Sequence, residues 1–254
     1  MAMLLSVMAG PDSRAPFSIE QDPTMFTRTL QRDFKGTRVA WLGDLGGHLQ
    51  IERGIVELCQ NAIKTFEAAG CTVEEARIDF PADQMWDTWV KLRHWVIAGE
   101  LMHLYKDPAK REKMKPEAIW EVEGGLKLSA LEVYESSTAR SGFYRALSKL
   151  FDTYNFLLLP SAQVFPFDST THWPKSINGV TMDTYHRWME VVVPESLSGL
   201  PAINVPVGFS GSGLPMGLQI IGKQHADYSV LQVAYIYEQA THWVSNNLPP
   251  LLKA

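Results

Sequence analysis

The chain of 254 residues is poor in cysteine: Cys59 and Cys71 are the only two, and they form no CxxC. That excludes a disulfide framework and a thiolate zinc knuckle, and both read as reduced core residues of a cytoplasmic protein. Long apolar runs are also missing. No stretch approaches the ~18 residues of a membrane span, so no membrane partner is expected. The apolar start, MAMLLSVMAG, has no basic residue before Arg14 and does not fit a secretory leader. It reads as the end of a helix, with Gly10 at the position after the cap and Pro11 blocking continuation. Positive charge is scarce and scattered, 23 Lys and Arg against 28 Asp and Glu. The one basic run, Lys106 to Lys115, has no interleaved aromatics and reads as a solvated loop, so no nucleic-acid partner is expected.

Phosphate and metal signatures are absent too. GDLGG (Gly43 to Gly47) lacks the G-x-G-x-x-G order and reads as a tight turn. In Gly217 to Lys223 the position after the lysine is Gln224, where a P-loop needs Ser or Thr for magnesium. Glu100/His103 and His186/Glu190 each share a helix face, which suits a hydrogen bond as well as a metal, and no third ligand clusters with either pair. No cofactor and no metal is expected.

What is present suits an α/β body, with 46% hydrophobic residues to build a core. RVAWLG reads as a strand. Arg53 to Ala69 carries Ile55, Leu58, Ala62, Phe66 and Ala69 at helical spacing, Gly70 ends it, and CTVEEARID returns as a strand parallel to the first. A helical lobe follows over about 82–154. Asp83 is the expected cap of its first helix, which carries Met85, Trp86, Trp89, Leu92, Val96 and Leu101. Pro116 suits a first helical turn, and Ser129 with Glu132 form a capping box. Phe156 to Pro160 is a buried strand. The irregular segment Ser161 to Gly179 holds Phe165, Phe167, His172 and Trp173, and a long aromatic loop is a candidate pocket wall. Met182 to Val193 reads as a helix ended or kinked at Pro194.

Ala202 to Val207 and Met216 to Ile221 read as neighbouring strands. FSGSGLP between them is turn chemistry, with Gly211 and Gly213 free to take positive φ and Ser210 and Ser212 as turn residues. Pro206 inside a strand points to an edge or a bulge. Asp227 to Trp243 reads as a capped amphipathic helix.

SLSGLPAINVPVGF followed by GLPMGLQIIG resembles the C-terminal consensus of the amidase signature family, serine hydrolases that cleave carboxamide C–N bonds. LLSVMAGPDSRAPFS, RVAWLGD and Asp152 with FLLLP extend the resemblance in order along nearly the whole chain. The resemblance implies a mixed β-sheet flanked by helices. It also implies that residues 1–254 form a single α/β unit, the C-terminal portion of an amidase domain. The resemblance implies a nucleophilic serine, a second serine in a cis peptide and a lysine, which belong to a Gly/Ser-rich signature and an earlier lysine strand; this sequence contains neither, so no catalytic residue carries over.

By the same resemblance the segment before the GLP motif lines the acyl side of the substrate pocket. Tyr185, Trp188 and Met189, with Trp173 from the preceding loop, are therefore the expected pocket residues. Met189 aligns with an aspartate that grips the substrate ammonium in glutamine-using amidotransferases. A thioether cannot make that pair, which points to a less polar amide. Three readings stay open: a truncated or internally initiated amidase, a split enzyme completed by a catalytic-half partner, and a non-catalytic binding relic. The expected partners are a small amide substrate in the complete enzyme and either a second copy or that catalytic half.

Overall fold

In the computed structural model, which describes residues 1–252, the chain begins with helix α1 (Ala2–Met8) and a 3-10 turn at Pro23–Thr27. It then forms β1 (Arg38–Trp41), α2 (Ile55–Ala68) and β2 (Thr72–Glu75). The helical lobe comprises α3 (Ala82–Tyr105), α4 (Pro108–Arg111), α5 (Pro116–Lys127) and α6 (Ala130–Leu150). Next come β3 (Phe156–Pro160), the small hairpin β4 (Ser176–Ile177) and β5 (Val180–Thr181), a 3-10 segment Arg187–Val192, and α7 (Val193–Ser198). Strands β6 (Ala202–Phe209) and β7 (Pro215–Gly222), helices α8 (Asp227–Thr241) and α9 (Trp243–Asn246) and a 3-10 turn at Pro250–Leu252 complete it.

The main sheet has the order β2-β1-β3-β7-β6. β1 runs parallel to β2 and to β3, whereas β7 is antiparallel to β3 and to β6. The sheet is therefore mixed, as the family resemblance implies. Its centre is the driest part of the molecule, because β3 is buried along its whole length and Val39, Ala40, Leu157, Leu158 and Leu159 are inaccessible. Each of these valine and leucine side chains contributes about 1.5–3 kcal/mol by leaving water. Helix α2 buries Ile55, Cys59, Ala62, Ile63 and Phe66, one stripe at helical spacing, and Phe66 stacks on Tyr237 of α8 at 5.0 Å. Both thiols are free and buried, and burial pushes Cys59 up to about 12 and Cys71 up to about 11.

The β6–β7 hairpin forms as the sequence predicts, and β6 is the edge strand. The register shifts between Pro206 and Gly208, a bulge where proline interrupts pairing, and Tyr237 Oη donates to the Pro206 carbonyl at 3.0 Å. In the turn Gly213 takes positive φ but Gly211 does not, because Ser210 closes the loop instead. Its hydroxyl accepts from Leu214 N at 3.1 Å and pairs with Ser212 at 2.8 Å.

Other local expectations need correction. Helix α3 starts after Pro81, and Asp83 sits in its first turn without capping it; its carboxylate stands 3.8 Å from His48 Nδ1. On the same helix Val96 is exposed, whereas His94 and Ala98 face α5. The basic run contains a helical turn, α4, capped by Asp107. Pro194 begins α7 rather than ending a helix, and residues 182–186 before the 3-10 segment are not helical. Helix α8 lacks a side-chain cap and ends at His242, leaving Trp243 to α9. The capping box at Ser129 and Glu132 and the proline at the start of α5 are present as expected.

Candidate active-site pocket

The loop after β3, the 3-10 segment and the β6–β7 hairpin border a cavity of about 490 Å³ that opens to solvent. Phe165, Phe167 and Trp188 form one wall, Pro206, Pro215 and Met216 another, and Phe167 meets Trp188 edge to face at 5.4 Å. Ser161, Asn204 and Gly217 are the polar lining. A Cβ at Gly217 would stand 2.5 Å from Asn204 Oδ1 and 2.8 Å from Ser161 Oγ, so only glycine lets both groups close over β7. Among the described residues, no titratable side chain lines this cavity.

Of the four pocket residues expected from the sequence, Trp188 alone lines the cavity. Trp173 and Trp188 pack on a small satellite core of Val164, Ile177 and Met182, apart from the main core. Tyr185 stands edge-on to Trp173 at 6.1 Å and to His186 at 5.0 Å. Met189 occupies the kink inside the 3-10 segment, with φ −120° and ψ 18°. The structure thus gathers all four around one segment and exposes one of them to the cavity.

That segment is held by polar bonds that sequence reasoning missed. Gln163, buried in the loop, accepts from Val191 N at 3.0 Å and donates to the Gln50 carbonyl at 2.9 Å. Gln219 of β7 donates to the carbonyls of Pro160 and Val191 at 2.7 and 3.2 Å. Both main-chain groups of Val191 are therefore satisfied by side chains, as an irregular buried backbone requires. The signal in the sequence was a glutamine in the middle of an apolar strand.

Two buried carboxylates complete the attachment. Glu190 meets His48 at 2.7 Å and Arg187 at 2.9 Å, while Arg187 also binds Asp183 and covers the Trp86 ring at 4.0 Å. Glu121 of α5 meets Arg93 at 2.6 Å, His94 at 2.7 Å and His186 at 3.2 Å. His186 and Glu190, the i,i+4 pair noted in the sequence, therefore serve different partners. Burial alone would raise Glu121, but the hydrogen bonds from His94 and Arg93 hold it below the usual carboxylate range. Burial pushes His186 down to about 4, aided by the charge on Arg93, so it is neutral at pH 7. Its Nε2 lies between Glu121 Oε1 at 3.2 Å and Arg93 Nε at 3.1 Å. His186 Nδ1, Trp188 Nε1, Thr184 Oγ1 and Glu117 Oε2 are the buried side-chain polar atoms without a hydrogen-bond partner among the described residues. Three of the four lie within residues 184–188.

The Glu121 cluster requires α3 and α5 to approach closely. A Cβ at Gly124 would lie 2.6 Å from the His94 ring, and one at Gly125 would collide with Ala98 and the His94 carbonyl.

Comparison with known proteins matches residues 1–231 to the family described as Amidase. An acylamidase of Rhodococcus erythropolis is 28% identical over 247 residues, covering 95% of this chain and 50% of that protein. One of the subunits that form the glutamyl-tRNA(Gln) amidotransferase of Enterococcus faecalis is 28% identical over 269 residues, covering 94% of this chain and 52% of that protein. Among solved structures, a bacterial aryl acylamidase of the amidase signature family superposes with a TM-score of 0.81 at 23% identity, over 93% of this chain and 50% of the other. The chain spans about half the length of the curated relatives it matches. The ordered motifs, the mixed sheet and the match over most of its length lead to one conclusion: this chain belongs to the amidase family.

Proposed function

We propose that the chain supplies scaffold and part of the acyl-side pocket to a cytoplasmic hydrolase of carboxamide C–N bonds, and that the bond-breaking groups come from residues outside these 254. The observation that carries this reading is an uncharged cavity of about 490 Å³ in a chain of this family that lacks the Gly/Ser signature. In the complete enzyme a serine hydroxyl adds to the amide carbon, main-chain N–H groups hold the oxyanion, the amine leaves with a proton, and water cleaves the ester. Trp188 supplies aromatic area to the acyl group, with Tyr185, Trp173 and Met189 supporting it from behind. The absence of any charged side chain in the described lining favours a neutral acyl group over a glutamine-like one.

A second reading, a split enzyme, is favoured by two surfaces. Among the described residues the outer edge of β6 is unpaired in the sheet, and α1 buries none of its residues while exposing Met3, Leu4, Val7 and Met8. The test is hydrolysis of acetanilide and of a simple aliphatic amide. The chain alone gives no turnover, and adding a polypeptide that bears the lysine and Gly/Ser-rich region gives turnover. Hydrolysis by the chain alone contradicts the proposal.

A further inference from the structure

A larger cavity, about 670 Å³, lies away from the β6–β7 pocket, at the carboxyl ends of the parallel strands β1 and β2. The carboxyl ends of parallel strands are where open α/β sheets receive small molecules. Here the loop after β1 folds back through Gly43, Leu45, Gly46 and Gly47, all at positive φ. Asp44 fastens it by accepting from Gly47 N at 2.8 Å. Glycine at position 43 keeps the wall open, since a Cβ there would stand 3.3 Å from the indole nitrogen of Trp41, which is otherwise buried. Glycine at 46 leaves the space that the Arg77 guanidinium covers.

The charges facing this cleft are Asp44, Glu75 and Arg77, beside Gln60 and Trp41. None of the three takes part in an ion pair among the described residues. Two carboxylates against one guanidinium repel a phosphate dianion, and a wholly apolar ligand would leave three charges desolvated without partners. A ligand with one charge of each sign satisfies both ends at once. We propose that this cleft binds a small zwitterion carrying an ammonium and a carboxylate, the class to which free amino acids belong. Arg77 grips the carboxylate in a forked pair, and Asp44 and Glu75 take the ammonium.

The test follows the Trp41 indole N–H resonance of the whole chain during titration with L-alanine, propylamine and propionate. L-Alanine saturates with a Kd of about 1–10 mM, and each singly charged probe binds at least about tenfold more weakly. Arg77→Ala, at an exposed position, weakens L-alanine by about tenfold without lowering Tm. Glu75→Gln weakens it as well, and Trp188→Phe in the other cavity leaves it unchanged. Failure of L-alanine to shift the resonance, equal binding of propylamine or propionate, or an unchanged Kd in Arg77→Ala overturns the proposal. None of these outcomes depends on amide hydrolysis.

Discussion

The β6–β7 hairpin and the segment from residue 172 to 192 flank one cavity, yet they are built by opposite means. The hairpin is held by a ladder between two strands, broken only by the bulge between Pro206 and Gly208, and β7 is buried from Met216 to Gly222. The segment has two two-residue strands and a kinked 3-10 turn. Side chains fix it instead: Gln163 and Gln219 on Val191, Glu121 on His186, and His48 on Glu190. A ladder is redundant, so one lost bond is shared among many. A side-chain anchor is singular, and losing one partner leaves the other buried and unpaired. One wall of the pocket is thus robust by construction and the other depends on a few groups.

The sharpest way to break this asymmetry is Glu121→Ala. It strands Arg93, His94 and His186 around a buried gap and is expected to cost about 3–5 kcal/mol, read by chemical denaturation. On the ladder side, Leu158→Ala in the centre of β3 removes an inaccessible side chain at about 2–5 kcal/mol. The two substitutions separate in the pocket rather than in stability. Glu121→Ala shifts the Trp188 environment at temperatures where the sheet is intact, whereas Leu158→Ala changes both together or neither.

Acid provides a graded version of the first test. His186 titrates at about 4 in the folded chain against 6.5 when free. The unfolded chain therefore takes up the proton first, and stability falls as pH drops from 6.5 toward 4. The full effect is about 3 kcal/mol. Glu121 is held below the carboxylate range, so its loss lies at lower pH still and has the same sign. His186→Asn should flatten the upper window in a series of denaturation midpoints against pH. An unchanged slope would remove His186 from the account. Next in size is Gly125→Ala, which forces α3 and α5 apart at about 1–3 kcal/mol. Smallest is Ser129→Ala, which loses the capping box of α6 for about 1 kcal/mol and leaves the Trp188 signal unmoved.

The same contrast explains what the sequence could reveal. Alternating and continuous apolar runs, prolines and a capping box are local signals, and the hairpin, the parallel β1–α2–β2 unit and the start of α6 follow from them. The anchors are not local. Arg93, Glu121 and His186 are brought together by helix packing and not by spacing, and His186 next to Glu190 suggested a pair that the fold divides between two partners. Adjacent glycines at 124 and 125 inside a helix were the available sign that α3 and α5 pack closely. Periodicity failed for residues 182–186 because an apolar spacing suited to a helix is spent on a separate small core with Trp173 and Trp188. Of the cavity's lining, Trp188 and the aromatic loop were singled out in the sequence; the opposite wall of Pro206, Pro215 and Met216 lies in residues that read as strand and turn.

On the proposed function, this chain offers a neutral acyl pocket without the groups that break the bond. The most direct measurement is simultaneous binding and turnover of acetanilide by the purified chain, with Trp188→Phe as the reference. Saturable quenching of tryptophan fluorescence, diminished in Trp188→Phe and with no aniline released, is the expected result. Release of aniline by the chain alone, or quenching that is the same in both proteins, would contradict it.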